Sequence, residues 1–327
     1  MIKLSILDQS PVIAGRTAAD AISETMDLVQ KADEWGYSRY WFAEHHGSAS
    51  FASASPEIMM SYAAARTTRI RLGSGGILLG HAEPLRMAES LRTLHALAPG
   101  RIDAGFGRAP GGDQRVMKAL GERPLDAYQR LDETLTLLRD VRVASNHGDV
   151  VAVPDGVEAP EIWVLGTSPA SAVEAGTRGL AYAFGSFIDP THCNEALAAY
   201  HATFIPSVWN AAPRTLVATV AFVGDTANDA ARMAQCSEQW FVESFLRSKN
   251  VRFPLIEEGA SFPLDPMERM VRDMRRASVL IGSTENVAER LHEMERRYAT
   301  SEFALVTITD DHGMRCASYE RLASILQ

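Results

Sequence analysis

Cysteine is scarce in this chain: 327 residues contain only three, at positions 193, 236 and 316. Three thiols so far apart build neither a disulfide framework nor a zinc ribbon, and they suit a reducing cytoplasm. Positive charge is also in deficit, with 32 Lys plus Arg against 41 Asp plus Glu and a net of −9. Without a basic footprint, nucleic acid and anionic lipid are excluded as partners. Long apolar runs are missing too. The longest stretch free of Asp, Glu, Lys and Arg, residues 196–213, holds His201, Pro206, Asn210 and Pro213. It is too polar and too broken to span a bilayer. Asp8 interrupts the N-terminal apolar segment before a signal-peptide core can form. The expectation is a soluble, cytoplasmic protein with no membrane association.

Several motifs fail as well. Gly73-x-Gly75 is followed by Leu78 in the third glycine slot, and Gly105-x-Gly107 by Pro110. A nicotinamide-binding fingerprint is therefore not supported. No His-x-His, Cys-x-x-Cys or His-Glu-x-x-His occurs, so no metal site is expected. The apolar fraction of 46% is ordinary for a globular protein, which excludes disorder, collagen and coiled coil as the main state.

What is present is a rhythm. β-rich runs at residues 2–7, 37–43, 70–79, 101–107, 162–165, 180–186, 216–223 and 303–308 alternate with amphipathic helical stretches. Thr17 caps the first helix and Gly36 stops it. Further helices are expected at residues 56–66, 84–97, 125–139, 169–178 and 194–204, with a closing helix around 319–326. Eight strands, each followed by a helix, predict an α/β fold, a (β/α)8 TIM barrel occupying residues 1–327 as one domain. A doubly wound sheet is the alternative. The spacing predicts a helical and loop insertion after strand seven, approximately residues 224–302. On the C-terminal rim it would act as a lid or pocket wall, or serve as a packing subdomain or dimer contact.

Four short segments could carry chemistry. Glu44-His45-His46 follows strand two, where alternation puts Trp41, Ala43 and His45 on one face. His45 then projects over the barrel mouth while His46 points elsewhere. A neutral imidazole suits proton transfer, although both histidines could equally be structural. Gly73-Ser74-Gly75-Gly76 in strand three marks a bulge or a close backbone approach to a ligand. Arg108, set among glycines at the end of strand four, can reach an anion, or it can be a solvated loop residue. Gly166-Thr167-Ser168-Pro169-Ala170-Ser171 leads from strand five into a helix. Hydroxyls and free N–H groups there could bind phosphate, and capping explains the serines equally well.

In combination, residues 4–11, 40–46, 72–79 with Pro84, 99–111 and 163–171 give the chain its likeness to a known family. It resembles the bacterial luciferase-like, flavin-dependent monooxygenases over nearly its whole length. The resemblance implies a TIM barrel that binds reduced FMN at its C-terminal rim. Dioxygen would react at flavin C4a, and the peroxyflavin would oxygenate a small aldehyde- or ketone-like substrate. It further implies a separate flavin reductase as functional partner, and a homodimer. His45 matches the family's catalytic histidine, while Arg108 and the Gly166, Thr167, Ser168, Ser171 group match its flavin-phosphate site. The Gly75–Gly76 bond falls where the family often has a non-proline cis peptide against the isoalloxazine. Gly107 stands where luciferases proper carry a reactive cysteine, and Gly75-Gly76 replaces a small alanine-type pair. Both departures argue against light emission from long-chain aldehydes. An F420-dependent hydride-transfer oxidoreductase and a non-catalytic flavin-binding relative are the alternatives.

Overall fold

Along each barrel strand, side chains alternate between two apolar layers, and both layers are buried. Tyr40 and Phe42 point out toward the helices with Leu4, Ile6, Tyr182 and Phe184. Trp41 and Ala43 point in with Leu7, Ala181 and Ala183. Period-two alternation of two apolar sets makes a continuous apolar run, as expected of a parallel sheet covered on both faces.

The computed structural model describes residues 2–121, 127–139, 143–145, 148–257 and 262–326. Eight strands form the barrel: β1 (Lys3–Asp8), β2 (Arg39–Phe42), β3 (Arg71–Ser74), β4 (Ile102–Gly107), β5 (Glu161–Gly166), β6 (Ala181–Gly185), β7 (Thr215–Val223) and β8 (Glu302–Val306). Each pairs in parallel with the next, and β8 closes on β1 through registers such as Ser5 with Ala304. This is a (β/α)8 TIM barrel, with all eight expected strands in place. The doubly wound alternative falls, because an open sheet would leave β1 and β8 unpaired.

Helices α1 (Ala18–Trp35), α2 (Pro56–Ala64), α3 (Pro84–Leu97), α4 (Ala127–Leu138), α5 (Pro169–Thr177) and α6 (Cys193–Thr203) follow the first six strands. A capping box between Thr17 and Asp20 starts α1, and Gly36 ends it in the left-handed conformation at φ 86°. The expected helix at 125–139 is seen from Ala127, its first two residues lying outside the described ones. After β7 come α7 (Ala227–Phe241), α8 (Pro266–Ser278) and α9 (Thr284–Tyr298). Between α8 and α9, Leu280–Gly282 adds a short strand to the end of β7. Val287 and Leu291 of α9 are buried in the outer layer, as a barrel helix requires, so the extra material before α9 is α7, α8 and their connections. The last helix, α10 (His312–Ala323), begins earlier than the sequence reading placed it. Asp311 caps it by accepting from the Met314 N–H at 2.8 Å, and a 3-10 turn, Ser324–Leu326, follows. Among the described residues no helix is long and apolar enough to cross a membrane.

The barrel interior is filled from one end only. At the N-terminal end Arg39 is buried among Asp103 (2.6 Å), Glu161 (3.1 Å) and Glu302. Above it Trp41 and Trp163 meet edge to face at 5.4 Å, and the Trp41 indole donates to Asp103 at 3.0 Å. A Cβ on Gly73 would lie 2.5 Å from the Trp41 ring, so glycine in β3 makes room for this layer. Toward the C-terminal end the inward residues shrink to Ala183, Ala218, Gly75 and Gly107, and a cavity opens.

Candidate active site

The cavity has a volume of about 730 Å³ and a mostly apolar wall. That falls within the ordinary size range for small-molecule sites, and the C-terminal rim is where such barrels bind ligands. His45, Gly75, Gly76, Arg108, Gly166, Thr167, Ser168 and Ser171, all singled out from the sequence, line it together.

The His45 N–H donates to the Ser53 carbonyl at 2.9 Å, which fixes the backbone as the chain leaves β2. The ring stacks on Phe51 with centroids 4.3 Å apart. Burial, helped by the neighbouring His46, pushes its pKa down to about 4, so the imidazole is neutral at pH 7. His46 turns away. Its Nε2 lies 2.8 Å from Glu44 Oε1, while Glu44 Oε2 accepts from the Leu78 N–H at 2.9 Å.

Next to it, on the adjoining strand β3, lies a stretch of wall without side chains. The Gly75–Gly76 peptide is cis. A Cβ on Gly75 would come 2.4 Å from Leu7 Cδ1, and one on Gly76 would come 2.9 Å from the Gly105 carbonyl. At Gly107 a Cβ would meet nothing within 4 Å and would project into open space, so glycine there keeps the cavity wide.

Because Gly107 pairs with Leu165, Arg108 emerges beside Gly166 and the start of α5. Arg108 is exposed on the rim and has no carboxylate partner among the described residues. Ser168 caps α5, accepting from the Ser171 N–H at 3.3 Å, while Ser171 Oγ lies 2.7 Å from the Ser168 carbonyl and 3.0 Å from the Tyr182 hydroxyl. A Cβ on Gly166 would sit 2.0 Å from Ser171 Oγ, so this turn closes only around glycine. The serine hydroxyls thus serve the cap, and Thr167 keeps a free hydroxyl among the described residues. A cation and a helix N-terminus side by side are the arrangement that favours an anion.

The sequence reading named no residue of the far wall. Trp240 of α7 donates its indole N–H to Ser50 Oγ at 2.8 Å and stacks on Phe253 at 4.5 Å. Phe51 packs edge-on against both rings. Arg272, Arg275 and Arg276 of α8 also face the cavity. Arginines three and four positions apart on a segment rich in methionine were the available signal. Outside the cavity, Asp27, His312 and Cys316 converge with their ligand atoms within 4.8 Å of one another, but Lys31 Nζ lies 2.6 Å from Asp27 and already supplies a cation. All three cysteines are buried free thiols.

The family model for luciferase-like monooxygenases matches residues 2–301. The chain belongs to this family. Among its relatives is the N-acetyl-S-alkylcysteine monooxygenase of Bacillus subtilis, 32% identical over 331 residues, covering 99% of this chain and 98% of that protein. Crystalline apo-MsnO8 is 32% identical with a TM-score of 0.90, covering 100% and 98% of the two chains. The same fold recurs at 18% identity and a TM-score of 0.74 in the oxygenating constituent of 3,6-diketocamphane monooxygenase of Pseudomonas putida. That structure is in complex with FMN and is covered over 99% of this chain and 96% of its own. As a luciferase-like monooxygenase, this chain is an oxidoreductase of the flavin type, built on the barrel its sequence implied.

Proposed function

We propose that this luciferase-like monooxygenase uses reduced FMN and dioxygen to oxygenate a small organic molecule, with reduced flavin supplied by a separate reductase. The observation that carries the reading is Arg108. A guanidinium without a carboxylate partner among the described residues stands beside the α5 N-terminus, at the edge of a cavity whose adjoining wall is bare glycine backbone. Arg108, the Thr167 hydroxyl and the Ala170 N–H, the first that α5 offers because Pro169 has none, would take the FMN phosphate. Gly75, Gly76 and Gly107 would let the flat ring lie against the backbone, since no Cβ intervenes. When bound, reduced flavin supplies two electrons and two protons, so that one oxygen atom of O2 enters the substrate and the other leaves as water. Neutral His45 can accept a proton at one ring nitrogen and donate from the other, which suits proton relay at the reacting face. The aromatic wall of Phe51, Trp240 and Phe253 excludes water.

Substrates of the aldehyde or ketone kind fit a mostly apolar cavity, as does a thioether of the kind named for the Bacillus subtilis relative. The reading includes a cytoplasmic homodimer as its working assembly. To test it, the protein is mixed with reduced FMN, ¹⁸O2 and a panel containing N-acetyl-S-methylcysteine, decanal and cyclohexanone. One ¹⁸O atom in a product supports the proposal. Absence of label from every product, with tight F420 binding and hydride transfer, would instead favour the deazaflavin reading. Flavin binding without any turnover would favour the non-catalytic one.

A further inference from the structure

The chain as a whole is acidic, yet its cavity is not. Among the described residues, the cavity wall carries four arginines, Arg108, Arg272, Arg275 and Arg276, against two glutamates, Glu44 and Glu238. Both glutamates are engaged: Glu44 by His46 and the Leu78 N–H, and Glu238 by an ion pair with Arg276. Arg272 holds the exposed carboxylate of Asp273 at 2.7 Å. Arg275, like Arg108, has no carboxylate partner among the described residues. Its guanidinium is half-buried and lies 4.2 Å from the centroid of the Phe241 ring. Burial lowers its pKa, and no anion among the described residues acts the other way.

A cation desolvated against aromatic rings is costly unless an anion meets it. FMN brings one phosphate, and the α5 site beside Arg108 accommodates that group. Arg275 enters from elsewhere, on α8, the second helix after β7. Between it and His45 runs an unbroken series of rings. Phe241 stacks on Phe245 at 5.3 Å, Phe245 meets Trp240 at 5.5 Å, Trp240 meets Phe51 at 5.4 Å, and Phe51 stacks on His45 at 4.3 Å. An apolar passage with a neutral histidine at one end and a guanidinium at the other matches an amphipathic molecule. A planar guanidinium pairs best with a carboxylate, which it can bind through two parallel hydrogen bonds.

We propose that Arg275, with Arg272 one turn before it, forms a subsite for a carboxylate on the substrate, so that this enzyme acts on small apolar acids whose oxidisable atom lies toward His45. The assignment of the reacting end rests on the flavin reading given above, whereas the carboxylate subsite rests on the cavity alone. The test is calorimetric binding of hexanoate and hexan-1-ol, with and without oxidised FMN, and of FMN and riboflavin themselves, to the wild type, Arg275→Met, Arg275→Lys and the exposed control Arg269→Met. Hexanoate should bind the wild type more tightly than hexan-1-ol. Arg275→Met should weaken hexanoate about 10-fold or more, the usual scale of a charge-assisted hydrogen bond. The same change should leave hexan-1-ol within about 2-fold and leave the melting temperature in place, with Arg275→Lys between and Arg269→Met unchanged. Equal losses for hexanoate and hexan-1-ol would make Arg275 a packing residue and overturn the proposal. So would a wild type without preference for hexanoate, or an Arg275→Met loss of FMN that spares riboflavin. Hexanoate preference in a wild type that binds no flavin would leave the subsite standing and sink the flavin reading instead.

Discussion

At the residue scale, the site depends on a few side chains whose neighbours set their state. Arg108, without a carboxylate beside it among the described residues, is available to a phosphate. Arg108→Ala should weaken FMN about 10- to 100-fold while changing riboflavin little, since only FMN carries the phosphate. Equal losses in a fluorescence titration would make Arg108 structural. His45 is held neutral by burial, with its pKa pushed down to about 4. Because the lowered value keeps the imidazole uncharged above that pH, kcat/KM should show no limb near pH 6.5, and any His45 limb should appear near pH 4. His45→Ala should lower turnover about 100-fold or more with flavin affinity preserved, which steady-state kinetics on a labelled substrate would check. Gly166 is a matter of space. Gly166→Ala puts a Cβ 2.0 Å from Ser171 Oγ. It should loosen the start of α5 and weaken FMN as well as lower the melting temperature, where an unaffected α5 would lower neither.

At the element scale, the strands were legible because two buried faces write one apolar run, and Gly36 and Pro99-Gly100 punctuate it visibly. The start of α10 was not read, because its signal is one Asp cap ahead of a weakly patterned helix. The inward face of α8 escaped for a different reason. Its apolar stripe, Met267, Met270 and Met274, is 63%, 50% and 60% exposed, and its arginines face the cavity. A reader of amphipathic pattern assigns the methionines to the core and the arginines to water, which is the reverse of this arrangement. The join between β1 and α10 offers a test of stability. Asp8 is fully buried, accepting from Arg315 at 2.6 Å, from the Ser10 N–H at 2.8 Å and from the Tyr40 hydroxyl. Burial alone would raise its pKa, but Arg315, Tyr40 and Ser10 together hold it below the usual carboxylate range. A depressed carboxylate stabilises the fold above its unfolded pKa, and that stability is lost as pH falls from about 4 downward. Asp8→Ala leaves Arg315 buried and unpaired, so urea unfolding at pH 7 should show a loss of about 3–5 kcal/mol. The difference from wild type should shrink below pH 4, and a pH-independent difference would remove the ion pair from the account.

At the scale of the whole molecule, the barrel divides its labour along its axis. The N-terminal end is closed by Arg39 and its carboxylates and by the Trp41–Trp163 pair, while the C-terminal end is left hollow and lined by loops from many strands. Eight residues read from the sequence meet in that hollow, because they end or follow four successive barrel strands, β2 to β5, and parallel strands deliver their C-termini to one rim. The insertion expected as a lid or pocket wall does line the hollow through α7 and α8, but which of its side chains face inward could not be read without the fold. The central claim is that this hollow recognises a flavin by its phosphate. Anaerobic titration of the wild-type protein with reduced FMN, reduced riboflavin and reduced F420 tests it most directly. FMN should bind about 10-fold or more tightly than riboflavin, and more tightly than F420. Riboflavin binding as tightly as FMN, or F420 binding more tightly than either, would contradict the account.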